Sequence, residues 1–179
     1  MRIRRAGVGD AEAVAGVQVR SWRAAYRGIM PQSFLDGMDT GRRADRWARW
    51  IGDAEGPREA MLVAEEAGSV VAFANFGPLE DAPDVPEVAA FYSVPEVWGT
   101  GVNQRLMGAV TDALAAGGYT EAVLWVLSAN DRARRFYTAQ GWRSGEAVER
   151  WGPINGVYVH RVRFHRLLDG AAAGGAARG

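Results

Sequence analysis

Residues 94–106 read Val-Pro-Glu-Val-Trp-Gly-Thr-Gly-Val-Asn-Gln-Arg-Leu and combine the end of a strand, a glycine-containing loop and the start of a helix. Pro95 ends the strand, and Gly99 and Gly101 precede a helix whose apolar residues recur every four positions. The first N–H groups of a helix have no partner within it, so they bind phosphate or pyrophosphate well. A dinucleotide-binding fingerprint would need a third glycine at position 104, which is Gln. The loop therefore predicts either another kind of phosphate site or a tight turn without a ligand.

Several kinds of catalytic site are excluded by residue types that the chain lacks. All 21 basic residues are Arg, and without Lys neither a Walker-type phosphate loop nor a pyridoxal Schiff base can form. The chain has no Cys and no Gly-x-Ser-x-Gly sequence, so it offers no obvious covalent nucleophile for hydrolysis. His160 and His165 lie an odd number of residues apart in a strand-like segment and should point to opposite faces. We therefore expect no metal site.

The elements that must position the loop are mixed strands and helices. Hydrophobic periodicity predicts strands at residues 2–5, 61–66, 69–77, 87–94, 120–127, 142–150 and 157–167. It also predicts four helices. The first begins after a cap at Asp10, the second covers residues 40–51, and the third lies between Gly101 and Gly117. The fourth covers residues 131–140 after a cap at Asn130 or Asp131. The proline-rich residues 78–86 are predicted to form a surface loop.

Length and composition indicate one globular domain. The chain has 179 residues, of which 48% are hydrophobic and 23% charged, and we expect a domain at residues 1–169 followed by a disordered Ala/Gly tail at 170–179. The 21 acidic residues balance the 21 basic ones, which argues against a nucleic-acid partner. No apolar run approaches 18 residues, so no membrane association is expected. The absence of Cys and of a signal sequence predicts a cytoplasmic location.

A second segment, residues 124–142, is more specific. It reads Leu-Trp-Val-Leu-Ser-Ala-Asn-Asp-Arg-Ala-Arg-Arg-Phe-Tyr-Thr-Ala-Gln-Gly-Trp, in which a strand precedes Asn130 and an aromatic pair ends at Tyr137. This order resembles the second acetyl-CoA motif of the GNAT superfamily, the Gcn5-related N-acetyltransferases. The earlier loop resembles the pyrophosphate motif of that family, with two departures. Trp98 replaces the usual Arg or Gln, and Asn103 replaces a small residue, so that it could either crowd the pyrophosphate or donate a hydrogen bond to it.

The resemblance covers residues 2–168 and implies both a fold and an activity. The implied fold is a single α/β domain with a mixed, mostly antiparallel central sheet flanked by helices. The implied activity is acetyl-CoA-dependent N-acetyl transfer, made directly to a primary amine of a small molecule or peptide. The resemblance also makes a homodimer possible. The rival interpretation is a non-catalytic acyl-CoA-binding regulator with the same fold.

The resemblance also assigns roles to individual residues. Glu87 matches the general base and Tyr137 the acid that protonates the departing thiolate, whereas the plainer interpretations are a solvated carboxylate and a core aromatic. A backbone N–H near Tyr92 or Ser93 would hold the thioester carbonyl if its strand splays from the strand at 120–127. Asn130 would bind the pantetheine arm or serve only as a helix cap. The implied cofactor-binding residues are Phe91, Tyr92, Ser93, Trp98, Gly99, Thr100, Gly101, Val102, Asn103, Gln104, Asn130 and Tyr137.

The acceptor is predicted less sharply. Trp22, Tyr26 and Trp125 are the candidate substrate-binding residues, and Trp151 and Tyr158 could extend an aromatic pocket. Aromatic residues at such spacing also serve as core. A nucleic-acid-associated factor is disfavoured by the zero net charge, although Arg132, Arg134 and Arg135 form a basic cluster that faces cofactor phosphates or solvent.

Overall fold

The computed structural model describes residues 1–54 and 56–168, in which seven strands form one sheet with helices packed against it. The strands are β1 (Arg2–Arg5), β2 (Ala60–Glu66), β3 (Ser69–Leu79), β4 (Ala82–Ser93), β5 (Glu121–Leu127), β6 (Arg143–Ile154) and β7 (Val157–Leu167). The helices are α1 (Ala11–Ala25), α2 (Gln32–Asp36), α3 (Thr40–Asp53), α4 (Val102–Ala116) and α5 (Asp131–Ala139). The predicted tail at 170–179 lies outside the described residues.

The strand order is β1-β2-β3-β4-β5-β7-β6, and the pairing is antiparallel except between β4 and β5, which run parallel. This arrangement confirms the predicted mixed, mostly antiparallel α/β sheet.

Two neighbouring aromatic residues of β4 show that the helices cover both faces of the sheet. Phe91 stacks on Phe136 of α5, with ring centroids 5.6 Å apart. Tyr92 contacts Phe73 of β3, which in turn contacts Trp47 of α3. Successive side chains of a strand point to opposite faces, so α5 and α3 lie on opposite sides of β4. No helix in the described part of the chain is long and apolar enough to cross a membrane.

The parallel pair at the centre of the sheet is short. Glu87 and Val123 are the register pair that joins β4 to β5, whereas β4 stays paired with β3 as far as Ser93. Beyond Glu87 the two strands therefore diverge, and the edge of β4 that faces β5 has no strand partner. This is the splay on which the expected carbonyl-binding N–H group depends.

Helix α4 follows the loop beside that edge and is held against the sheet by a row of apolar residues. Val102, Leu106, Val110 and Leu114 are all fully buried, as their spacing predicts. The helix packs against β2 and β3. The N-terminus of α4 is thereby held rigidly beside the end of β4.

The prediction of a surface loop at residues 78–86 is wrong. β3 continues to Leu79 and β4 starts at Ala82, so the prolines lie within a hairpin. Pro78 lies opposite Pro86 in the register, next to a register shift. Neither proline has an N–H, and two prolines can face each other where the ladder needs no hydrogen bond from either residue. As a consequence Glu87 lies within β4 and does not begin it.

Of two predicted helix caps, the one at Asp10 is wrong and the one at Asn130 is confirmed. Asp10 precedes α1, but its carboxylate accepts hydrogen bonds from Arg4 and from the N–H of Gly7 and does not cap the helix. Asn130 is the cap of α5, since its Oδ1 accepts from the N–H of Ala133 at 3.1 Å. Helix α2 was not predicted, because its five residues are too short to show a periodic pattern.

Candidate active site

The divergence of β4 from β5 opens a cavity of about 260 Å³, here called the loop cavity. Its walls come from the free edge of β4, the loop before α4, and the start of α5. Most of the residues predicted for cofactor binding line it, namely Phe91, Tyr92, Ser93, Trp98, Gly99, Asn103, Gln104, Asn130 and Tyr137. Thr100, Gly101 and Val102 do not line it: the Thr100 hydroxyl bonds the Val97 carbonyl, and the Val102 side chain is in the core.

The loop before α4 presents free N–H groups at one end of this cavity. Gly99 and Gly101 have φ values of 80° and 92°, where side-chain-bearing residues are strained. The first helical hydrogen bond runs from the N–H of Arg105 to the carbonyl of Gly101. The N–H groups of residues 102–104 therefore have no helical acceptor and, together with the helix dipole, favour an anion. Gly101 supplies the backbone conformation and Val102 supplies a backbone donor.

Trp98 is held in place by two neighbours. Its Nε1 donates to the Ser93 Oγ at 3.0 Å, and the Arg132 guanidinium lies over its ring, 3.1 Å from the centroid. Arg132 also lines the loop cavity, so of the predicted basic cluster this residue faces the site. Arg134 instead bonds Asp131 and the Ser128 carbonyl. Sequence reasoning did not place Arg132 among the site residues, although it belonged to the cluster singled out.

Tyr137 is buried among rings and lines the loop cavity. The ring contacts Phe91, Phe136, Trp142 and Phe164. Burial raises the pKa of Tyr137 above its ordinary value. The phenol therefore stays protonated at neutral pH, and it forms no hydrogen bond with any residue in the described ranges. It is both a core aromatic and an available donor.

Two amide side chains complete the cavity wall. Asn130 is buried and caps α5 with its oxygen, which leaves its NH₂ group free to donate. The Oδ1 of Asn103 is buried without a hydrogen-bond partner in the described residues. Buried amide atoms normally have partners, so the Asn103 side chain is suited to a ligand in the cavity.

Backbone alternation along β4 decides which N–H groups face the splay. The N–H of Val94 donates to the Val71 carbonyl of β3 at 2.9 Å. Because donors alternate along an antiparallel strand, the N–H of Tyr92 also points toward β3. Those of Phe91 and Ser93 point toward β5. Of the two positions predicted to hold a carbonyl, Ser93 has the required direction and Tyr92 does not.

A second cavity of about 510 Å³ lies beside the first and is here called the aromatic cavity. Trp22, Tyr26 and Trp125, the predicted substrate-binding residues, all line it, as does Trp151. Trp22 is also a buried member of a core cluster, with ring contacts to Tyr26 at 5.1 Å and to Trp151 at 6.4 Å. Tyr158 does not line either cavity; it is exposed and carries Arg150 on its ring.

Glu87 is the acidic residue of the aromatic cavity. Its side chain is half-buried, and burial raises the pKa of the Glu87 carboxyl. Arg161 and Arg163 oppose that shift, and Glu149 adds to it. Sequence reasoning missed the basic and aromatic residues that join Glu87 from distant elements, which are Phe34, Arg43, Arg46, Trp47 and Arg161.

The two cavities share part of their walls. Tyr26, Ala89, Ala90, Tyr92 and Trp125 line both, so the cavities meet beside the unpaired edge of β4. Glu87 opens into one and Tyr137 into the other. The described residues contain no group of three or more His, Asp or Glu side chains that could hold a metal ion.

Comparison with known proteins agrees with this geometry. The family model for the acetyltransferase (GNAT) family matches residues 20–142. The chain belongs to the GNAT family. An uncharacterized N-acetyltransferase of Mycobacterium bovis is 30% identical over 161 residues, which cover 89% of this chain and 94% of the relative. The chain is therefore an N-acetyltransferase.

Solved structures show the same GNAT fold. The PaiA N-acetyltransferase of Thermoplasma acidophilum, in complex with coenzyme A, superposes with a TM-score of 0.73 at 16% identity and covers 93% of this chain and 98% of its own. A proposed acetyltransferase of Salmonella typhimurium, solved with its cofactor acetyl-CoA, has a TM-score of 0.72 at 23% identity over 99% of both chains.

Proposed function

We propose that this N-acetyltransferase moves an acetyl group from acetyl-CoA directly to a primary amine of a small molecule or peptide. The observation that carries the proposal is the junction of the two cavities beside the unpaired edge of β4. One cavity ends at anion-binding N–H groups, and the other contains a half-buried carboxylate. Such a junction lets a thioester and an amine meet from opposite sides.

The donor groups of the loop cavity fit acetyl-CoA. The N–H groups of residues 102–104 suit its pyrophosphate, and the free NH₂ of Asn130 suits an amide of the pantetheine arm. Two GNAT neighbours were solved with coenzyme A or acetyl-CoA, which supports the same ligand here. The N–H of Ser93, which points toward β5, would donate to the thioester carbonyl oxygen as negative charge develops there.

The amine must lose a proton before it can attack. An alkyl amine with a pKa near 10.4 is neutral in only about four molecules per ten thousand at pH 7, which costs about 4.6 kcal/mol. Glu87 is the proposed base, because burial raises its pKa and so strengthens it as a proton acceptor, while Arg161 and Arg163 favour its ionised form. The desolvated aromatic walls also favour a neutral amine.

Transfer then exchanges one bond for another. The amine nitrogen attacks the carbonyl carbon, the C–N bond forms and the C–S bond breaks. The ammonium proton that Glu87 removes before attack passes to solvent, so that Glu87 can take the second proton, which the nitrogen loses after attack. Tyr137 donates its phenolic proton to the departing thiolate and regains a proton from solvent. We expect direct transfer, and the absence of Cys means that no cysteinyl intermediate can form.

The test is to incubate the protein with acetyl-CoA and a panel of primary amines, following thiol release and the mass of the product. Acetylated amine together with free thiol is expected. In parallel, acetyl-CoA should raise the melting temperature, because a ligand at a hundred times its Kd adds about 2.7 kcal/mol to the folded state. Stabilisation without any thiol release would instead support the acyl-CoA-binding regulator.

A further inference from the structure

The aromatic cavity contains more positive charge than the proposed reaction uses. Arg43 and Arg46 of α3 and Arg161 of β7 all line it, whereas Glu87 is the acidic residue among its lining residues. A base for a cationic amine does not need three guanidinium groups near it. Such a surplus disfavours a simple cationic amine unless the acceptor also brings negative charge.

One of the three arginines is already neutralised. Arg161 binds Glu149 with two of its nitrogens, at 3.0 Å and 2.8 Å from one carboxylate oxygen. Its guanidinium also lies 4.8 Å from the centroid of the Trp125 ring. Arg161 therefore serves as part of the cavity wall, and the surplus belongs to Arg43 and Arg46.

Arg43 is half-buried without an acidic partner. No carboxylate in the described residues lies within 4.0 Å of its guanidinium. Asp39, the N-cap of α3, attracts Arg43 only at longer range, because its hydrogen bond and ion pair are with the N–H and guanidinium of Arg42. Arg43 instead faces the Trp22 ring, 5.5 Å from the centroid. Partial burial of a guanidinium costs hydration, which the attraction to the ring offsets only in part, so an anionic ligand group would stabilise Arg43.

The charges come from different walls of the cavity. Glu87 belongs to β4 and is here called the acidic end, whereas Arg43 and Arg46 belong to α3 and are here called the basic end. Much of the remaining lining consists of rings, including Trp22, Phe34 and Trp151. The cavity thus has an acidic end, a basic end and apolar sides.

We infer that the acceptor amine also carries an oxyanion, and that it is a small amino acid with an apolar side chain whose carboxylate binds Arg43 and Arg46. The inference rests on the proposed function and names its substrate class. Guanidinium groups bind carboxylates through parallel N–H donors. With the carboxylate at α3, the α-amine faces Glu87 and the junction, and the apolar side chain contacts the rings.

The test uses matched acceptors that differ only in the carboxylate. Leucine and phenylalanine are compared with their amides and with the corresponding decarboxylated amines, by kcat/KM for thiol release and by calorimetric binding to the protein with coenzyme A bound. The acids should exceed both neutral forms by at least about tenfold in kcat/KM, the size expected of a charge-assisted hydrogen bond.

Arginine variants then test whether the preference for acids over neutral amines depends on the basic end. R43Q and the double variant R43Q/R46Q should lower kcat/KM for the acids by about 10- to 100-fold and change that for the neutral amines by less than about threefold. R43K keeps the charge and should recover part of the loss. R49Q is the matched control, since Arg49 is exposed on the same helix and lines neither cavity.

Each outcome separates this inference from the proposed function. Acetylation of amides or decarboxylated amines as fast as the acids overturns the inference and leaves the proposed function standing; fast amides would favour a peptide N-terminus. Acids that are neither acetylated nor bound also overturn it. An equal loss for acids and neutral amines in R43Q would mean that Arg43 is structural. If no amine in any set releases thiol, the proposed function itself fails.

Discussion

The loop cavity and the aromatic cavity meet at the same edge of β4 but are assembled differently. The loop cavity is built mainly from three contiguous segments, at residues 88–93, 98–104 and 130–137. The aromatic cavity collects side chains from seven elements, namely α1, α2, α3, β4, β5, β6 and β7. The loop cavity offers backbone N–H groups at residues 102–104 as well as polar side chains, whereas the charged groups of the aromatic cavity are all side chains. A ligand shared across the family suits the first construction, and an acceptor that differs between members suits the second.

The largest effect is expected when the carboxylate is removed from the aromatic cavity. Glu87→Gln keeps the size of the side chain and removes the base, so kcat/KM at pH 7 should fall by about 10²- to 10⁴-fold. Acetyl-CoA affinity should stay unchanged, because Glu87 does not line the loop cavity. Steady-state kinetics and calorimetry check both. Glu80→Gln, at an exposed position outside both cavities, is the control; equal activity of the two variants would show that Glu87 is not the base.

A somewhat smaller loss is expected on the other side of the junction. Tyr137→Phe keeps the ring contacts and removes the phenolic proton, so kcat should fall by about 10²-fold. An acyl donor whose thiol leaves more easily should recover part of that loss. Tyr119→Phe is a matched control, since Tyr119 is buried and its hydroxyl donates to the Arg58 carbonyl away from both cavities. A fully active Tyr137→Phe would reduce Tyr137 to a core aromatic.

The different construction of the cavities also explains what the sequence could predict. The strand, loop and helix at residues 94–106 and the capped helix after Asn130 are local features, and the structure has both. Arg43 and Arg46 lie far along the chain from Glu87 and gain meaning only when α3 packs against the sheet. The hairpin at residues 78–86 was missed because prolines usually end strands, and a facing pair is tolerated only in a particular register.

A smaller effect is expected from the side-chain amide of Asn103, which lines the loop cavity. The Oδ1 of Asn103 lacks a partner, so we expect it to accept a hydrogen bond from a donor group of the cofactor and Asn103→Ala to weaken acetyl-CoA binding by about 3- to 10-fold. Calorimetric titration measures the change, with Asp112→Ala on the exposed side of the same helix as the control. Tighter binding by Asn103→Ala would mean that Asn103 crowds the pyrophosphate.

The smallest expected effect concerns stability. Burial raises the pKa of Glu87 in the folded state. The folded state therefore binds the proton of this carboxyl group more tightly than the unfolded state does, and the ionised carboxylate destabilises the fold. Its unfavourable contribution grows as the pH rises from the unfolded pKa, about 4.3, to the higher folded value. Glu87→Gln should therefore raise the melting temperature at pH 7 and lose that advantage in acid. Parallel melting curves at all pH values would show that Glu87 is fully solvated.

We propose that the two cavities hold opposite proton-transfer groups, Glu87 and Tyr137, around one reacting thioester. The direct measurement is kcat/KM from about pH 6 to about pH 10 for the parent, Glu87→Gln and Tyr137→Phe with the same amine. The deficit of Glu87→Gln should shrink as the pH rises, because the amine then loses its proton without help. The deficit of Tyr137→Phe should persist, because a neutral amine does not protonate the leaving thiolate. Deficits that follow the same pH dependence in both variants would contradict the assignment of base and acid to the two sides.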